Sequence, residues 1–164
     1  MTRAKGPTYE VHFRRRREGK TRYDKRLAYI KSGVPRMVVR KSNRYVRVQF
    51  IEFEPKGDKC IVNIDGNRLR KDYKWDSKRN VWSAYLAGLL AGKEAAKKGV
   101  KKFVLDTGRY TPSKGSVLFA ALKGAVDAGL ATAYDSKIIP EDKLSNPPEK
   151  LKSSFEDVKK KIIG

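Results

Sequence analysis

Four consecutive arginines, Arg14, Arg15, Arg16 and Arg17, are the densest chemical signal in this chain. A guanidinium is planar, permanently charged and able to hold a phosphate through two parallel hydrogen bonds. On a helix, four in succession point to all sides and cannot share one salt-bridged face. Lys20, Arg22, Lys25 and Arg26 extend the same region. The bland readings are a solvated charge run or a localisation signal; the extension favours a polyanion, and nucleic acid first. A second block, Arg40, Lys41, Ser42, Asn43 and Arg44, is followed by Tyr45 and Arg47. It combines phosphate-binding cations, hydroxyl and amide groups suited to 2′-hydroxyls and base edges, and an aromatic ring for stacking. A charged edge strand that discourages aggregation would look similar, but the mixture of chemistries favours RNA contact.

Catalytic constellations are weaker. Val104, Leu105, Asp106, Thr107 and Gly108 resemble the aspartic-protease signature, whose chemistry needs two aspartates sharing a proton. The chain holds one copy, and Asp106 reads better as a strand-end residue capping the next turn. Asp65, Glu94, Asp106 and Asp127 could form a metal-dependent nuclease cluster on a ribonuclease-H-like sheet, with Asp106 at a strand C-terminus where such sites form. The others lack a fixed spacing, so this is the runner-up function. His12, the lone histidine, has no Ser or Cys partner pattern and suits RNA or solvent contact. No phosphate-binding glycine loop appears. A single cysteine, Cys60, excludes an internal disulfide framework, and with one histidine a Cys/His zinc site is excluded too. No cofactor or metal is expected.

The elements that must position these residues can be read from composition and period. The chain has 164 residues, 39 basic and 18 acidic, a formal net charge of +21. Residues 1–49 hold 16 basic and 3 acidic side chains; the remainder holds 23 and 15. A basic arm is therefore joined to a more ordinary domain. No stretch approaches 18 apolar residues, so a membrane span is excluded, and the first ten residues do not form a secretory signal. These features fit a cytosolic protein. A basic chaperone or nucleoid protein, binding DNA and RNA alike, would share them.

Residues 1–13 read as an extended arm, and residues from 14 to about 32 as helical. Thr21 and Asp24 resemble a capping box, and Tyr23, Leu27 and Ile30 form a narrow apolar stripe. Gly33 and Pro35 stop the helix. Met37 to Val39, Val46 to Phe50 and Cys60 to Ile64 predict three strands, with a bulge where the apolar phase slips after Phe50. Residues 67–80 look irregular, anchored by Trp75. Ser83 caps a helix over 84–98, in which Ala84, Gly88, Gly92 and Ala96 form a smooth ridge suited to lying close on a sheet. Phe103, Val104 and Leu105 predict a central strand buried on both faces. Ser116 caps a helix ending at Gly129. Residues 131–146 look irregular, with a short strand over 131–134. The Pro147-Pro148 pair opens an amphipathic helix that docks Leu151, Phe155, Val158 and Ile162 on this domain or a neighbouring protein. The expected class is α/β: a three-stranded antiparallel meander plus a strand added through a helical crossover, giving a mixed sheet sandwiched by helices, with a basic N-terminal arm. The expected parts are 1–32, arm and helix; 33–134, the α/β domain; and 135–164, a C-terminal loop and helix.

Three blocks together carry a resemblance: RRRREGKTRYDKRLAYIKSGVPRMVVRKSNRYVRVQ over 14–49, SAYLAGLLAGKEAAKKGVKKFVLDTG over 83–108 and GSVLFAALKGAVDAGL over 115–130. They resemble the archaeal branch of large ribosomal subunit protein eighteen, the universal 5S ribosomal-RNA-binding family. The resemblance implies a non-enzymatic, cytoplasmic, ribosome-bound protein of the central protuberance. It would bind 5S rRNA, reach 23S-type rRNA and meet neighbouring large-subunit proteins, with no membrane partner. On that basis Arg14–Arg17 and residues 40–47 face RNA, with Arg3, Lys5, His12, Lys20, Arg22 and Arg26 beside the first block. The loop at 109–115 adds Arg109, Tyr110, Ser113 and Lys114.

Overall fold

The computed structural model describes residues 6–76 and 78–164. Four strands, β1 (Arg36–Lys41), β2 (Val46–Glu52), β3 (Lys59–Asp65) and β4 (Val104–Asp106), form one sheet in the order β3-β2-β1-β4. The first three make the expected antiparallel meander, and β4 lies parallel to β1. The register shifts between Phe50 and Ile51, where the phase slip predicted a bulge; the extra residue, Ile61, is on β3. The chain reaches β4 through α3 (Gly66–Tyr73) and α4 (Val81–Lys97).

Alternation sorts the sheet into two unlike faces. Met37, Val39, Val48, Phe50, Val62 and Ile64 are buried on one face, where α4 crosses β2 and β3 and α5 (Val117–Asp127) reaches β1. The opposite face carries Arg36, Val38 and Arg40 on β1, in register with Ile51, Gln49 and Arg47 on β2. Over this polar face stands α2 (Tyr23–Lys31), which has no fully buried residue. It follows α1, the four-residue helix Arg14–Arg17, and residues 6–13 run exposed without helix or strand.

Several local expectations are corrected. β4 is an edge strand, not a central one; beyond it lies only an isolated parallel bridge, Lys102 to Ala131, where a strand over 131–134 was expected. Residues 67–80 are not wholly irregular: α3 forms because Asp65 accepts a 3.0 Å bond from the Arg68 backbone N–H, although Leu69 is the main residue it buries. Trp75 is the anchor expected, 2% exposed, donating to Ser83 Oγ at 2.7 Å. That bond sits inside α4, whose cap is Asn80, accepting from the Ser83 backbone N–H. The Thr21 capping box does not form; Thr21 Oγ1 accepts from Arg15 Nε at 2.8 Å instead. Ser116 stands at the N-cap of α5 without a side-chain capping bond.

The small-residue ridge packs against a helix, not the sheet. A Cβ at Gly88 would fall 2.0 Å from the Ala121 carbonyl oxygen, one at Gly92 2.7 Å from Ala128 Cβ, and one at Gly124 2.1 Å from the Tyr85 carbonyl oxygen. Each interior glycine sacrifices ~1 kcal/mol of helix propensity, offset by backbone contact between α4 and α5. After a 3-10 turn (Ser136–Ile138) and the short α6 (Glu141–Ser145), α7 (Glu149–Ile163) returns to this domain. Its Phe155, Val158 and Ile162 are buried, with Phe155 against the Trp75 and Tyr85 rings.

Candidate nucleic-acid interface

The polar sheet face is held by a chain of ion pairs. Asp106, 6% exposed at the end of β4, accepts from Arg36 Nη1 at 3.3 Å, Arg40 Nη2 at 3.3 Å and the Gly108 backbone N–H at 2.7 Å. Asp58, in the β2–β3 turn, accepts from Arg36 Nη2 at 2.6 Å and from Arg26 Nη2 of α2 at 2.9 Å. Burying a guanidinium is costly unless carboxylates surround it; here two do, and the pair also ties α2 to the sheet. Helical spacing places Arg22, Lys25, Arg26 and Tyr29 on the side of α2 that faces the sheet. The predicted stripe of Tyr23, Leu27 and Ile30 is not the anchoring face: Leu27 is 53% exposed and Tyr23 pairs with Phe13 at 6.0 Å.

Between α2, β1 and the loop after β4 lies a cleft of about 420 Å³. Arg15, Lys20, Arg22, Arg26, Arg40, Arg109 and Tyr110 all line it, bringing together residues singled out from three separate parts of the sequence. Among the described residues Asp106 is the one carboxylate on its wall. Glu18, outside it, pairs with Lys20 at 2.6 Å and Arg14 at 3.1 Å. Arg22, Lys25 and Arg109 have no acidic partner among the described residues. Two glycines let guanidiniums approach the backbone closely: Arg109 Nη1 passes 3.0 Å from where a Gly19 Cβ would stand, and the Arg40 group 2.9 Å from one at Gly108. Tyr29 is half-buried. Burial first, and then the Asp106 charge, raise its phenol above the ordinary range against the opposing pull of Arg40 and Arg36, so it stays neutral beside the cations.

Other predicted residues lie around this cleft rather than in it. Ser42 closes the hairpin, its Oγ donating to the Tyr45 carbonyl and accepting from the Tyr45 N–H, both at 3.0 Å. Tyr45 packs on Gly66, where a Cβ would stand 2.8 Å from its ring. Asn43, Arg44 and Arg47 are exposed. Lys41 Nζ stands 4.9 Å above the Tyr110 ring, and Tyr110 OH donates to the Lys41 carbonyl at 3.0 Å, joining the hairpin to the loop after β4. Ser113 and Lys114 are exposed further along that loop, and His12, Arg14, Arg16 and Arg17 on the arm and α1. Arg3 and Lys5 lie outside the described residues.

Tyr29 and Arg36 line the cleft but were not among the predicted RNA-facing residues, and Lys25, named only as an extension of the arginine run, lines it too. Two spacings carried the signal: Arg36 is two residues before Arg40's neighbour Val38 on the same strand face, and Lys25 and Tyr29 are one helical turn apart. The four carboxylates of the nuclease alternative do not converge. Asp65 caps α3, Glu94 pairs with Arg68 at 2.6 Å, Asp106 holds Arg36 and Arg40, and Asp127 accepts from Tyr85 OH at 2.8 Å. Among the described residues no three acidic, histidine or cysteine side chains are grouped to hold a metal, and no helix is long and apolar enough to cross a membrane.

Residues 7–102 match the family of ribosomal large subunit proteins 60S L5 and 50S L18. Large ribosomal subunit protein uL18 of Aeropyrum pernix is 49% identical over 139 residues, covering 84% of this chain and 65% of that protein. The same-named protein of Korarchaeum cryptofilum is 49% identical over 140 residues, covering 85% of this chain and 71% of that one. The chain thus spans about two thirds of the length of these curated relatives. With the family match running from the arm across the whole meander and α4, and two relatives at this identity, the chain belongs to the L5/L18 family of large-subunit ribosomal proteins.

Proposed function

We propose that this chain is a structural, non-enzymatic constituent of the large ribosomal subunit that binds 5S rRNA and helps attach it to the 23S-type rRNA in the central protuberance. The observation that carries this reading is the convergence of Arg15, Arg22 and Arg26 with Arg40 and Arg109 on one cleft that holds a single carboxylate among the described residues. Cations gathered against so little negative charge repel one another until phosphates enter. In this reading the α/β part, 33–134, grips 5S rRNA through the cleft and the exposed hairpin tip of Asn43 and Arg44. The segment 1–32 extends the contact toward 23S-type rRNA with Arg14, Arg16 and Arg17, and 135–164 braces the domain through α7. Neighbouring large-subunit proteins complete the setting, in the cytoplasm and on the ribosome.

Recovering the tagged protein from cells at high salt and sequencing the RNA that remains tests this reading. Enrichment of 5S rRNA is expected. A broad RNA and DNA profile without 5S enrichment would instead favour a general basic chaperone.

A further inference from the structure

We propose that the cleft between α2, β1 and the loop after β4 is a receptacle for one unpaired nucleotide, whose base lies beside Tyr29 and whose phosphate is held at the rim by Arg22, Lys25 and Arg109. The proposal rests on the RNA-binding reading and names the kind of RNA element the site takes.

Shape is the first argument. A duplex presents its phosphates on a convex surface and would be met by a flat or ridged array of cations. Here the cations border a recess of about 420 Å³, within the roughly 300–1,000 Å³ span of sites that enclose a small molecule. A duplex cannot enter such a recess, whereas a base released from its stack can.

The second argument is the division of chemistry within the recess. Arg36, at the back, pairs through Nη2 with Asp58 and through Nη1 with Asp106 and is only 7% exposed, its Nε buried without a partner among the described residues. Asp106 is saturated by Arg36, Arg40 and the Gly108 N–H. The charge of the inner wall is therefore largely compensated, three guanidiniums facing two carboxylates, and the cations without acidic partners lie nearer the mouth. Arg15, Arg22, Lys25 and Arg109, none with an acidic partner among the described residues, lie on α1, at the N-cap of α2, on α2 and in the loop after β4, and all four are exposed. Charge at the mouth and a neutral phenol within suit a nucleotide entering base first. Unpaired bases are held in proteins by aromatic rings and by guanidinium planes. The recess offers both: Tyr29, and the Arg40 guanidinium, whose Cζ, Nη2 and Nη1 stand 2.9, 3.0 and 3.1 Å from a Cβ placed at Gly108.

A free anion such as inorganic phosphate shares the rim chemistry but would leave the recess behind it unfilled. The test therefore uses the full chain with an archaeal 5S rRNA transcript, irradiated so that bases in contact with side chains cross-link, followed by mass spectrometry of the adducts. The expected result is an adduct of one unpaired nucleotide on Tyr29. Tyr29→Leu should remove the adduct and weaken 5S rRNA binding roughly 5- to 100-fold, the range one stacked base supplies. Binding of a blunt RNA duplex should not change. Tyr29→Phe, which keeps the ring, should restore both adduct and affinity. Tight 5S rRNA binding with adducts only outside the cleft would overturn the proposal while leaving the RNA-binding reading intact. Failure of the wild-type chain to bind 5S rRNA would remove both. An adduct in the wild type stands even if Tyr29→Leu folds poorly, and competition by inorganic phosphate alone at millimolar concentration would show an anion site instead.

Discussion

The guanidinium of Arg109 lies across Gly19, with Nη1 3.0 Å from the position a Gly19 Cβ would take. This contact joins the loop after β4 to the turn between α1 and α2 and closes one end of the cationic cleft. Gly19 has φ +61°, a conformation that costs other residues about 1–2 kcal/mol. Gly19→Ala should therefore both strain the turn and push Arg109 away. The expected outcome is a several-fold loss of 5S rRNA affinity in filter binding. The thermal midpoint should fall by roughly 2–8 °C, the strain of the turn at 2–4 °C per kcal/mol.

Asp106→Asn should cost more stability. It leaves Arg36, 7% exposed, with one carboxylate instead of two and Arg40 with none. Breaking a buried pair from one side costs about 3–5 kcal/mol. At 2–4 °C per kcal/mol for a chain of this size, the midpoint should fall by roughly 6–20 °C. Thermal and urea unfolding would show this; a fall below about 2 °C, less than 1 kcal/mol by the same conversion, would mean that the ion-pair chain does not hold the sheet face.

Gly88→Ala tests the contact between α4 and α5. Helix propensity alone predicts a gain of ~1 kcal/mol. The new methyl would fall 2.0 Å from the Ala121 carbonyl oxygen, which is backbone and cannot step aside cheaply. Overpacking of this kind typically costs about 1–3 kcal/mol, so calorimetry should show a lower midpoint. A higher one would show that the helices are not in backbone contact.

Tyr85 gives a pH-dependent prediction. Burial, followed by its hydrogen bond to Asp127, pushes the phenol well above its ordinary value of 10.0. A group raised in the folded state contributes stability that is complete below the unfolded value and is lost as pH rises toward the folded one. At neutral pH Tyr85→Phe should cost about 1 kcal/mol, the scale of a hydrogen bond to a partly screened carboxylate. Wild type should lose that advantage over the variant only as pH climbs above about 10, the ordinary tyrosine value, toward the raised folded-state value. Urea titrations across that range would measure it.

The meander, its bulge, the crossover and α7 were legible because each depends on a strong period: two for Val46, Val48 and Phe50, and three to four for Phe155, Val158 and Ile162. The α3 helix was hidden because it buries little beyond Leu69 and its start depends on one cap from Asp65. The ridge of Ala84, Gly88 and Gly92 announced close packing but not against what, since a sheet and a helix both accept small residues. Charge density located the arginine run and the hairpin. Their geometry was less legible, because what gathers Arg26, Arg36 and Arg40 is an ion-pair chain through Asp58 and Asp106, while Arg109 is brought in by its contact with Gly19. That pairing is set by tertiary structure, and no local spacing encodes it. Arg36 was overlooked for the same reason: it stands alone in sequence, yet it is the link between both carboxylates.

The central claim is that this surface recognises 5S rRNA and does not merely attract negative charge. The most direct measurement is filter binding of the full chain to 5S rRNA and to an unrelated structured RNA of equal length, over ~50–200 mM salt, where purely ionic binding collapses. Both complexes should weaken with salt, with a log–log slope of about 0.7–0.9 per phosphate contact. 5S rRNA should stay bound at least tenfold more tightly across the range, and Asn43→Ala should narrow the gap without altering the slope. Equal affinity for both RNAs at every salt concentration would contradict the claim.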